Sequence, residues 1–459
     1  MRAPIQRNRR TFLCESGLGA SSLAFSSLLT GATPAAHHAA RAKSVIFLFM
    51  SGGPSQVDTF DPKPDLARLA GQDVPESLAR NVPKIKRAGL KNLMASHWGF
   101  SQRGQCGMPI SELLPHTSMH ADDLCLIRSM THRNPVHGPG ECVALTGTGA
   151  GDRPSLGAWA LYGLGSETRD LPAFITINLH SDGMQFPQAA GWGPGFLPSR
   201  YQGTVVNPYT GIRDTQMPKG VTDELRRDQL DLIEWFNQRH LKGLGKHSEL
   251  SARMRSYETA FRMQTTAPEL FGMKGESNSV RKLYGMDHSG TTEVGQACLL
   301  ARRMVERGVR FVQVRVGGWD AHGNIKGNHT KLAHRTDKPI AGLLSDLKQR
   351  GMLDSTLVVW GGEFGRTPTM EGRANGRDHS PAGYCAWLAG GGVKGGQIIG
   401  ETDPIGYVVT QRPVKPMELH ATILHSLGID SDQLEYDHHG LIERPTGVEG
   451  GRPVTEAFA

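Results

Sequence analysis

The stretch GQACLLARRMVERGVRFVQVRVGGWDAHGN, Gly295 to Asn324, contains the three parts from which the predicted fold is built. Its first half repeats apolar residues at helical spacing up to Gly308, a residue that suits the end of a helix. Val309 to Val316 then has the apolar pattern of a strand, and a glycine-rich loop carrying Asp320 and His322 follows it. A helix, a strand and a polar loop in this order predict one unit of a parallel α/β sheet.

The same alternation of helices and apolar strands continues through most of the chain. Further strands are predicted at Lys43 to Met50, Leu124 to Met130, Pro172 to Asn178, Thr356 to Gly362 and Tyr384 to Gly392. Helices are predicted over Lys338 to Gly351 and over Glu418 to Ile429. No internal repeat or low-complexity linker divides the chain. The predicted fold class is therefore α/β, with a mostly parallel sheet sandwiched by helices, in one domain over residues 43–459.

A long helical pattern interrupts this alternation between residues 221 and 290. The stretch Asp223 to Gly245 places Leu230, Leu232, Ile233 and Phe236 roughly on one face of a helix, and residues 248–263 continue the pattern. We interpret this region as a helical insertion that covers the sheet as a lid.

The charge balance argues against a nucleic-acid-binding function. The chain carries 51 Lys and Arg against 44 Asp and Glu, a formal charge of +7. Five arginines and one glutamate lie in the first 42 residues, so the remainder is nearly balanced. Nucleic-acid binding needs clustered basic residues, which the body of the chain lacks.

The five cysteines after residue 42 are widely spaced without a CxxC pair, which excludes a cysteine-rich zinc site and leaves room for at most two disulfides.

The first 42 residues resemble an export signal. Arg9 and Arg10 precede Phe12 and Leu13, as in a twin-arginine signal, and a weakly apolar stretch rich in small residues follows. Residues 40–42 fit an A-x-A cleavage site. We therefore expect recognition by the twin-arginine export machinery and a periplasmic or secreted protein, with a disordered basic N-terminus as the alternative. No later stretch has the roughly 20 apolar residues of a membrane span.

Acidic and imidazole groups occur repeatedly next to the predicted strands. Asp320 and His322 follow one strand, Glu363 follows the next, and Asp58 follows the first. Asp378 and His379 directly precede another strand. Ligands of open α/β sheets bind at the carboxyl ends of the strands. Carboxylate oxygens combined with imidazole nitrogens suit Zn²⁺ or Mn²⁺ better than Mg²⁺ or Ca²⁺, so the set predicts a site for one or two such ions.

Each of these groups also has an ordinary structural explanation. Asp320 and His322 could face water in a loop, Glu363 could form only an ion pair with Arg366, and His379 could be a hydrogen-bonded loop histidine. The shared position beside successive strands favours the metal site over these separate explanations.

Together these motifs resemble a bacterial family, the domain of unknown function 1501, regarded as a branch of the alkaline phosphatase and sulfatase superfamily. The resemblance covers most of the chain after residue 42. The matching stretches are Ser51 to Pro64, Leu299 to Val314, Gly317 to Asn324, Leu343 to Pro368, Gly376 to Asp403 and Leu419 to Asp430.

The superfamily resemblance implies a two-metal hydrolase of phosphate or sulfate esters. Asp320 and His322 resemble the Asp and His ligands of one metal, although the superfamily more often separates them by three residues. His379 resembles the last ligand histidine, with Asp378 beside it. Glu363 stands where the superfamily has an aspartate, but Phe364 replaces the histidine that usually follows.

Two further positions depart from the superfamily pattern. The aspartate normally found after the first strand is replaced by Ser51, with Asp58 as its possible substitute. The usual serine, threonine or modified cysteine nucleophile falls on His137, in NPVHGPGECVALTGTG, Asn134 to Gly149. His137 could attack a phosphoryl group itself, or serve as base or ligand while a metal-activated water attacks.

Two classes of function remain open on the sequence. The first is an exported metal-dependent hydrolase of phosphate or sulfate esters, acting on a small or polymeric anionic substrate. Arg366 and His132 are then candidates for binding the substrate, with Arg366 as a bidentate clamp on an oxyanion. The second is a catalytically degenerate member that binds anionic ligands without turnover, since fold alone does not determine function.

Overall fold

The computed structural model describes residues 36–84, 89–168, 170–179, 188–209, 220, 222–244, 269–272, 275–371, 375–447 and 450–458. The strands are β1 Ser44–Met50, β2 Phe100–Arg103, β3 Met108–Ser111, β4 Leu124–Met130, β5 Phe174–Asn178, β6 Thr204–Val206, β7 Phe311–Val316, β8 Thr356–Gly361, β9 Gly365–Arg366, β10 His379–Ser380, β11 Tyr384–Ala389, β12 Gln397–Ile399, β13 Glu401–Thr402, β14 Val409–Gln411, β15 Tyr436–His438 and β16 Leu441–Glu443. The α-helices are α1 Gln56–Thr59, α2 Pro64–Arg68, α3 Glu76–Ala79, α4 His137–Thr146, α5 Leu156–Leu164, α6 Gln188–Trp192, α7 Asp223–Leu244, α8 Asn278–Leu283, α9 Ser289–Glu306, α10 Ile325–Gln349 and α11 Pro416–Ser426.

Eight strands form one central sheet in the order β12-β4-β11-β8-β1-β7-β5-β6. Strand β1 pairs in parallel with both β7 and β8, so it lies at the centre. Strand β11 is antiparallel to both of its neighbours, β4 and β8, and the other pairs of the sheet are parallel. The predicted α/β fold with a mostly parallel sheet is confirmed.

Helices cover both faces of this sheet, because the central strands are apolar on both sides. Along β1, Ile46, Leu48 and Met50 belong to one core, which they share with buried residues of α9 and α10. The alternate residues Val45, Phe47 and Phe49 belong to a second core, formed with α5 and α11. The continuous apolar run that predicted this strand therefore reflects burial against two helical layers.

The largest difference from the predicted helices is the length of α10. It begins at Ile325, well before the stretch that predicted it, because the Asn324 side chain accepts a hydrogen bond from Gly327 N and caps the helix. Pro339 lies inside the helix. As a result, the loop that carries Asp320 and His322 is only a short connection between β7 and α10.

The predicted helix of the insertion is present as α7, but its apolar side chains are mostly exposed. Leu230 is buried, whereas Leu232, Ile233 and Phe236 are exposed. Residues 248–263, which continue the pattern, lie outside the described residues. That the insertion covers the sheet as a lid stays a prediction.

The described N-terminal residues are bonded to the body of the fold. His37 N donates to Gly428 O at 2.8 Å, and Arg41 N and Ala42 N each donate to Ser426 O at 2.8 Å. Ala42 is buried in the core. The segment 36–42, which the sequence places inside the export signal, is therefore part of the folded domain. Residues 1–35, with the paired arginines, lie outside the described residues.

Among the described residues, no helix is long and apolar enough to cross a membrane. The five described cysteines are free thiols.

Candidate metal centre

The candidate site lies at the carboxyl ends of the central strands β1, β7 and β8. The loops after β1 and β7 approach so closely there that a Cβ on Gly52 would lie 2.5 Å from Asp320 N. Gly52 also has a φ of +108°, which side chains rarely adopt. Glycine at position 52 is thus required for Asp320 to sit beside the first strand.

Four side chains converge on one point at this edge. The Oδ1 atom of Asp320 lies 3.2 Å from His137 Nε2, 3.0 Å from His322 Nε2 and 3.1 Å from His379 Nε2. The Nε2 atoms of His322 and His379 are 2.9 Å apart. These residues come from the start of α4, the loop after β7 and strand β10. Three of them, Asp320, His322 and His379, are ligands that the sequence predicted together.

The other ring nitrogen of each histidine faces an acceptor. His137 Nδ1 lies 2.7 Å from Glu363 Oε1, and His379 Nδ1 lies 2.6 Å from the carbonyl oxygen of Pro135. His322 Nδ1 is bonded to Glu371 Oε2. These acceptors place a proton on each Nδ1, so a neutral ring presents the lone pair of Nε2 to the centre.

This orientation fits a cation at the centre. Three nitrogen lone pairs beside a carboxylate oxygen repel each other unless a metal ion or protons lie between them. Metal-binding histidines almost always bind through one ring nitrogen and donate from the other, as this pattern provides. The residues present therefore fit a divalent ion held by three imidazoles and a carboxylate.

Without a bound ion, protons would take part of this role. Burial lowers the pKa of His137, but hydrogen bonds to Asp320 and Glu363 outweigh burial and raise it to about 9. The hydrogen bond to Asp320 also raises the pKa of His322. Burial opposes ionisation of Asp320, yet the three histidines and Arg366 hold its pKa well below the usual range. A metal ion would thus displace protons from these rings.

Arg366, which the sequence predicted as a substrate contact, makes its hydrogen bonds within the protein. It is fully buried, and its Nη2 atom donates to Asp320 Oδ1 at 2.6 Å. Its Nε and Nη1 atoms donate to the carbonyl oxygens of Gly53 at 3.0 Å and Arg377 at 3.1 Å. Since the guanidinium is used inside the protein, it supports Asp320 and the loop after β1 instead of clamping an oxyanion.

Glu363 lies behind His137 and is not one of the four converging residues. It is fully buried, and its Oε1 atom accepts from Gly52 N at 2.8 Å as well as from His137. The ion pair with Arg366 that the sequence left open is replaced by the pair between Arg366 and Asp320. Glu363 therefore contacts the candidate ligand His137 and is not itself among the four converging side chains.

His132, the second predicted substrate contact, also bonds within the protein. Its Nε2 atom donates to the Glu363 carbonyl oxygen at 2.5 Å, and its Nδ1 atom accepts from Asn134 N at 3.1 Å. Burial lowers the pKa of His132 to about 4, so the ring is neutral at ordinary pH. The structure gives this ring the role of fixing the loop before His137.

The two remaining predicted ligands lie outside the group of four. Asp58 is fully buried and pairs with Arg377 Nε at 2.8 Å, while Ser55 Oγ donates to the same carboxylate at 2.6 Å. Asp378 Oδ1 accepts from His379 N at 2.8 Å and lies 3.9 Å from His322 Nδ1. Asp378 thus borders the centre, whereas the Asp58 carboxylate is used in a separate ion pair.

Several polar residues next to the centre were missed by the sequence reasoning. Glu371 does not follow a predicted strand, and only its contact with His322 in the structure identifies it. Ser51 Oγ donates to Glu141 Oε1 at 2.5 Å, and Arg315 Nη2 lies 3.0 Å from Glu141 Oε2. Burial raises the pKa of Glu141 to about 7. The ion pair between Arg315 and Glu141 therefore occupies the region beside Ser51.

Phe364 forms an apolar wall beside the ligands. Its ring centroid lies 4.5 Å from that of His379 and 4.9 Å from that of His137. A Cβ on Gly53 would lie 2.8 Å from the same ring, and one on Gly140 would lie 3.2 Å from it. The two glycines let the phenyl ring occupy this space, where the sequence resemblance implies a histidine ligand of a second metal.

The chain belongs to a known protein family. Residues 42–458 match the family model described as "Protein of unknown function (DUF1501)". No curated protein matches the chain. The resemblance found in the sequence motifs is thereby confirmed over nearly the whole folded domain.

Solved structures similar to this chain include sulfatases and phosphonate monoester hydrolases. The phosphonate monoester hydrolase SpPMH from Silicibacter pomeroyi has a TM-score of 0.40 at 13% identity, over 90% of this chain and 76% of that chain. The PsFucS1 sulfatase from Pseudoalteromonas sp. has a TM-score of 0.37 at 13% identity, over 90% and 71% of the two chains. The TAB5 alkaline phosphatase has a TM-score of 0.31 at 11% identity, over 76% and 92%. A likeness of this strength assigns no residue role.

Proposed function

We propose that this chain is an exported, metal-dependent hydrolase of phosphate or sulfate esters. The observation that carries the proposal is the convergence of the Nε2 atoms of His137, His322 and His379 on Asp320 Oδ1, at 3.0 to 3.2 Å. A site of imidazoles and a carboxylate at the carboxyl edge of a parallel sheet is typical of metal-assisted catalysis.

The donor set favours one Zn²⁺ or Mn²⁺ ion per chain. A second possible group consists of His322, Glu371 and Asp378, but it shares His322 with the first. A neutral imidazole has one lone pair, so His322 can serve only one of the two groups at a time. Since Nδ1 of His322 is bonded to Glu371, its free nitrogen faces the group that contains Asp320.

The residues of the centre have distinct tasks in this proposal. Asp320, His322 and His379 hold the ion, and Arg366 keeps the Asp320 carboxylate in place through its 2.6 Å bond. A divalent ion bound here would polarise the ester and lower the pKa of an attacking water from about 15.7 toward about 7. Since the four proposed protein ligands would fill a tetrahedral shell, this water would need a fifth position at the ion, and it is our proposed nucleophile.

His137 is proposed as the fourth ligand. Its Nε2 atom lies within the ligand group, and its Nδ1 atom is bonded to Glu363. The alternative, in which His137 itself attacks a phosphoryl group, requires that nitrogen to face the ester instead of the ion. A covalent adduct on His137 after rapid quenching would replace the water mechanism with this alternative.

A binding protein without turnover is the second candidate. It is favoured by the internal use of Arg366 and His132, the two residues expected to hold an anionic substrate. In that case the ion alone would hold an anionic ligand or polymer. A hydrolase and a binding protein of this kind would both contain the ion, and only the hydrolase would turn over an ester.

Export by the twin-arginine machinery, to the periplasm or the medium, is part of the proposal. It is supported by Arg9 and Arg10 before the apolar stretch of the leading segment. Such machinery carries folded proteins, which agrees with a site whose residues come from distant parts of the chain.

The experiment compares metal content and ester hydrolysis in one preparation. Three chains are compared: the wild type, Asp320→Ala, and the control Glu443→Gln, which changes a partly buried ion pair with Arg153. Each is loaded with Zn²⁺ or Mn²⁺ and assayed on aryl phosphates and aryl sulfates. The proposal expects about one ion and turnover in the wild type and Glu443→Gln, and loss of both in Asp320→Ala. An ion without turnover on either ester class favours the binder and contradicts the hydrolase.

A further inference from the structure

The two carboxylates behind the proposed ligands, those of Glu363 and Glu371, have a common relation to the centre. Each accepts from the Nδ1 atom of a histidine whose Nε2 atom lies within 3.2 Å of Asp320 Oδ1. For the third histidine, His379, the acceptor at Nδ1 is the backbone carbonyl oxygen of Pro135. Thus each of the three imidazoles is held from behind by an oxygen acceptor.

We propose that Glu363 and Glu371 are positioning residues, which hold His137 and His322 with Nδ1 protonated and Nε2 directed at the cation. This inference rests on the proposed metal centre. It gives neither glutamate a bond to the ion. The sequence expectation for Glu363 was a direct ligand, and Glu371 had no expected role.

Glu363 is well placed to fix His137 because the glutamate itself is fixed. Its side chain is fully buried, and Oε1 also accepts from Gly52 N at 2.8 Å. The loop after β1 therefore determines where this oxygen lies. Phe364 then packs against the His137 ring, with centroids 4.9 Å apart, so the ring is held both at Nδ1 and on one face.

Glu371 is held by an antiparallel bridge to Gly376, a residue that lies against His322. Glu371 N donates to Gly376 O at 2.9 Å. A Cβ on Gly376 would lie 2.1 Å from the His322 carbonyl oxygen, so only glycine permits this approach. This bridge places the Glu371 carboxylate beside His322 Nδ1 at the rim, where the Glu371 side chain is 38% exposed.

A carboxylate in this position does more than a neutral acceptor. It fixes the tautomer and orientation of the ring, and its charge raises the basicity of the ligand nitrogen. Loss of such an outer partner typically weakens metal binding by about 10- to 100-fold without removing the site. Loss of a direct ligand is expected to weaken binding further and to change the geometry at the ion.

The alternative role for Glu371 is as a ligand of an ion in the group with His322 and Asp378. The alternatives for Glu363 are a ligand role, because its buried Oε2 atom has no hydrogen-bond partner among the described residues, and a purely structural role as an acceptor for Gly52 N. These alternatives predict effects that differ from positioning, because a ligand changes the ion count or geometry and a structural residue changes stability alone.

The test uses the full chain with Glu371→Gln, Glu371→Ala, Glu363→Gln and Glu363→Ala. A glutamine oxygen can still accept from Nδ1, whereas alanine cannot. Asp346→Asn is the matched control, since Asp346 is a buried ion-pair carboxylate on α10, about 30 Å along that helix from its start near the site. Ion affinity is measured by chelator competition with Zn²⁺, the ion environment by the visible absorption of the Co²⁺ form, and stability by thermal unfolding without metal.

Positioning predicts about 10- to 100-fold weaker Zn²⁺ binding in both alanine variants and partial recovery in the glutamine variants. The ion count at saturation and the four-ligand Co²⁺ spectrum should persist. Asp346→Asn should bind Zn²⁺ as the wild type does. Wild-type affinity in the alanine variants, or weakening that only follows their loss of stability, would overturn the proposal.

Failure of the proposed function gives a different pattern. If the wild type binds one ion and the alanine variants weaken it, but no ester is hydrolysed, positioning stands and the hydrolase does not. A changed Co²⁺ spectrum or a lower ion count in either alanine variant makes that glutamate a ligand and overturns positioning. A wild-type chain that binds no Zn²⁺ overturns both.

Discussion

His322 and Asp320 are separated by one residue, yet both face the same point, with His322 Nε2 3.0 Å from Asp320 Oδ1. This spacing, shorter than the sequence resemblance implies, still brings both side chains to one point. The buried residue between them, Ala321, accepts a hydrogen bond from Arg377 N, which holds the loop in this shape.

His322→Ala should therefore weaken metal binding by more than the roughly 10- to 100-fold typical of an outer partner. A direct ligand is lost, and the remaining residues leave an open position. Competition with a chelator measures the affinity. His334→Ala, which removes an exposed histidine of α10, is the control and should bind the ion normally. Equal affinity in the two variants would remove His322 from the site.

The ion pair between Asp58 and Arg377 should contribute to stability and not to metal binding. Both side chains are fully buried, with 2.8 Å between Asp58 Oδ2 and Arg377 Nε. Breaking a buried pair by removing one partner typically costs about 3 to 5 kcal/mol. Asp58→Ala should lower the midpoint of denaturant unfolding while the ion count of the folded fraction is unchanged. A lost ion in a stably folded Asp58→Ala chain would restore the predicted ligand role.

His420 should make the protein less stable as the pH falls below about 6.5. Burial lowers the pKa of His420 in the folded chain to about 4, although its Nε2 donates to the Ala144 carbonyl at 2.8 Å. Between these two pH values only the unfolded chain binds the proton. The free energy of unfolding therefore decreases by about 1.4 kcal/mol per pH unit for this residue, and levels off below its folded pKa.

The test compares unfolding free energies of the wild type and His420→Gln from pH 7 to pH 4. The substitution should reduce the slope by one proton, even if it lowers stability at every pH. Other buried histidines, including His329 with a pKa of about 3, keep their share of the slope. Parallel pH profiles would show that His420 does not carry this linkage.

If the chain is exported as proposed, removal of the leading segment should occur before His37. The backbone of His37 and of Arg41 to Ala42 is bonded to Gly428 and Ser426, so a folded chain does not present the 40–42 sequence to a peptidase. Edman sequencing or intact mass of the exported protein should place the mature N-terminus at or before position 37. A chain that begins at Lys43 would show that these contacts are dispensable.

The strands, and the polar residues that follow them, could be predicted because a buried strand is a run of apolar residues in the sequence. Ser44 to Met50 is apolar on both faces, and Asp320 and Glu363 follow strands within a few positions. The limits of the strands shifted by up to three residues, whereas α10 begins at Ile325, well before its predicted start at Lys338. The antiparallel direction of β11 left no such record, since a buried strand has the same composition in either direction.

Side-chain contacts across the chain were harder to predict. Arg366 and Glu363 are close in sequence and opposite in charge, yet Arg366 pairs with Asp320 and Glu363 with His137. The contact of Glu371 with His322 depends on the close approach of Gly376 to His322, which no periodic pattern in the sequence indicates. Such partners follow from tertiary geometry, which spacing in the sequence does not encode.

The central claim, that the three imidazoles and Asp320 hold one cation, is tested most directly by the ion content of the purified chain. Mass spectrometry of the protein after dialysis should find about one Zn or Mn per chain in the wild type and almost none in Asp320→Ala. A wild-type chain that stays folded without any bound divalent metal, or an Asp320→Ala chain that keeps a full ion, would contradict the account.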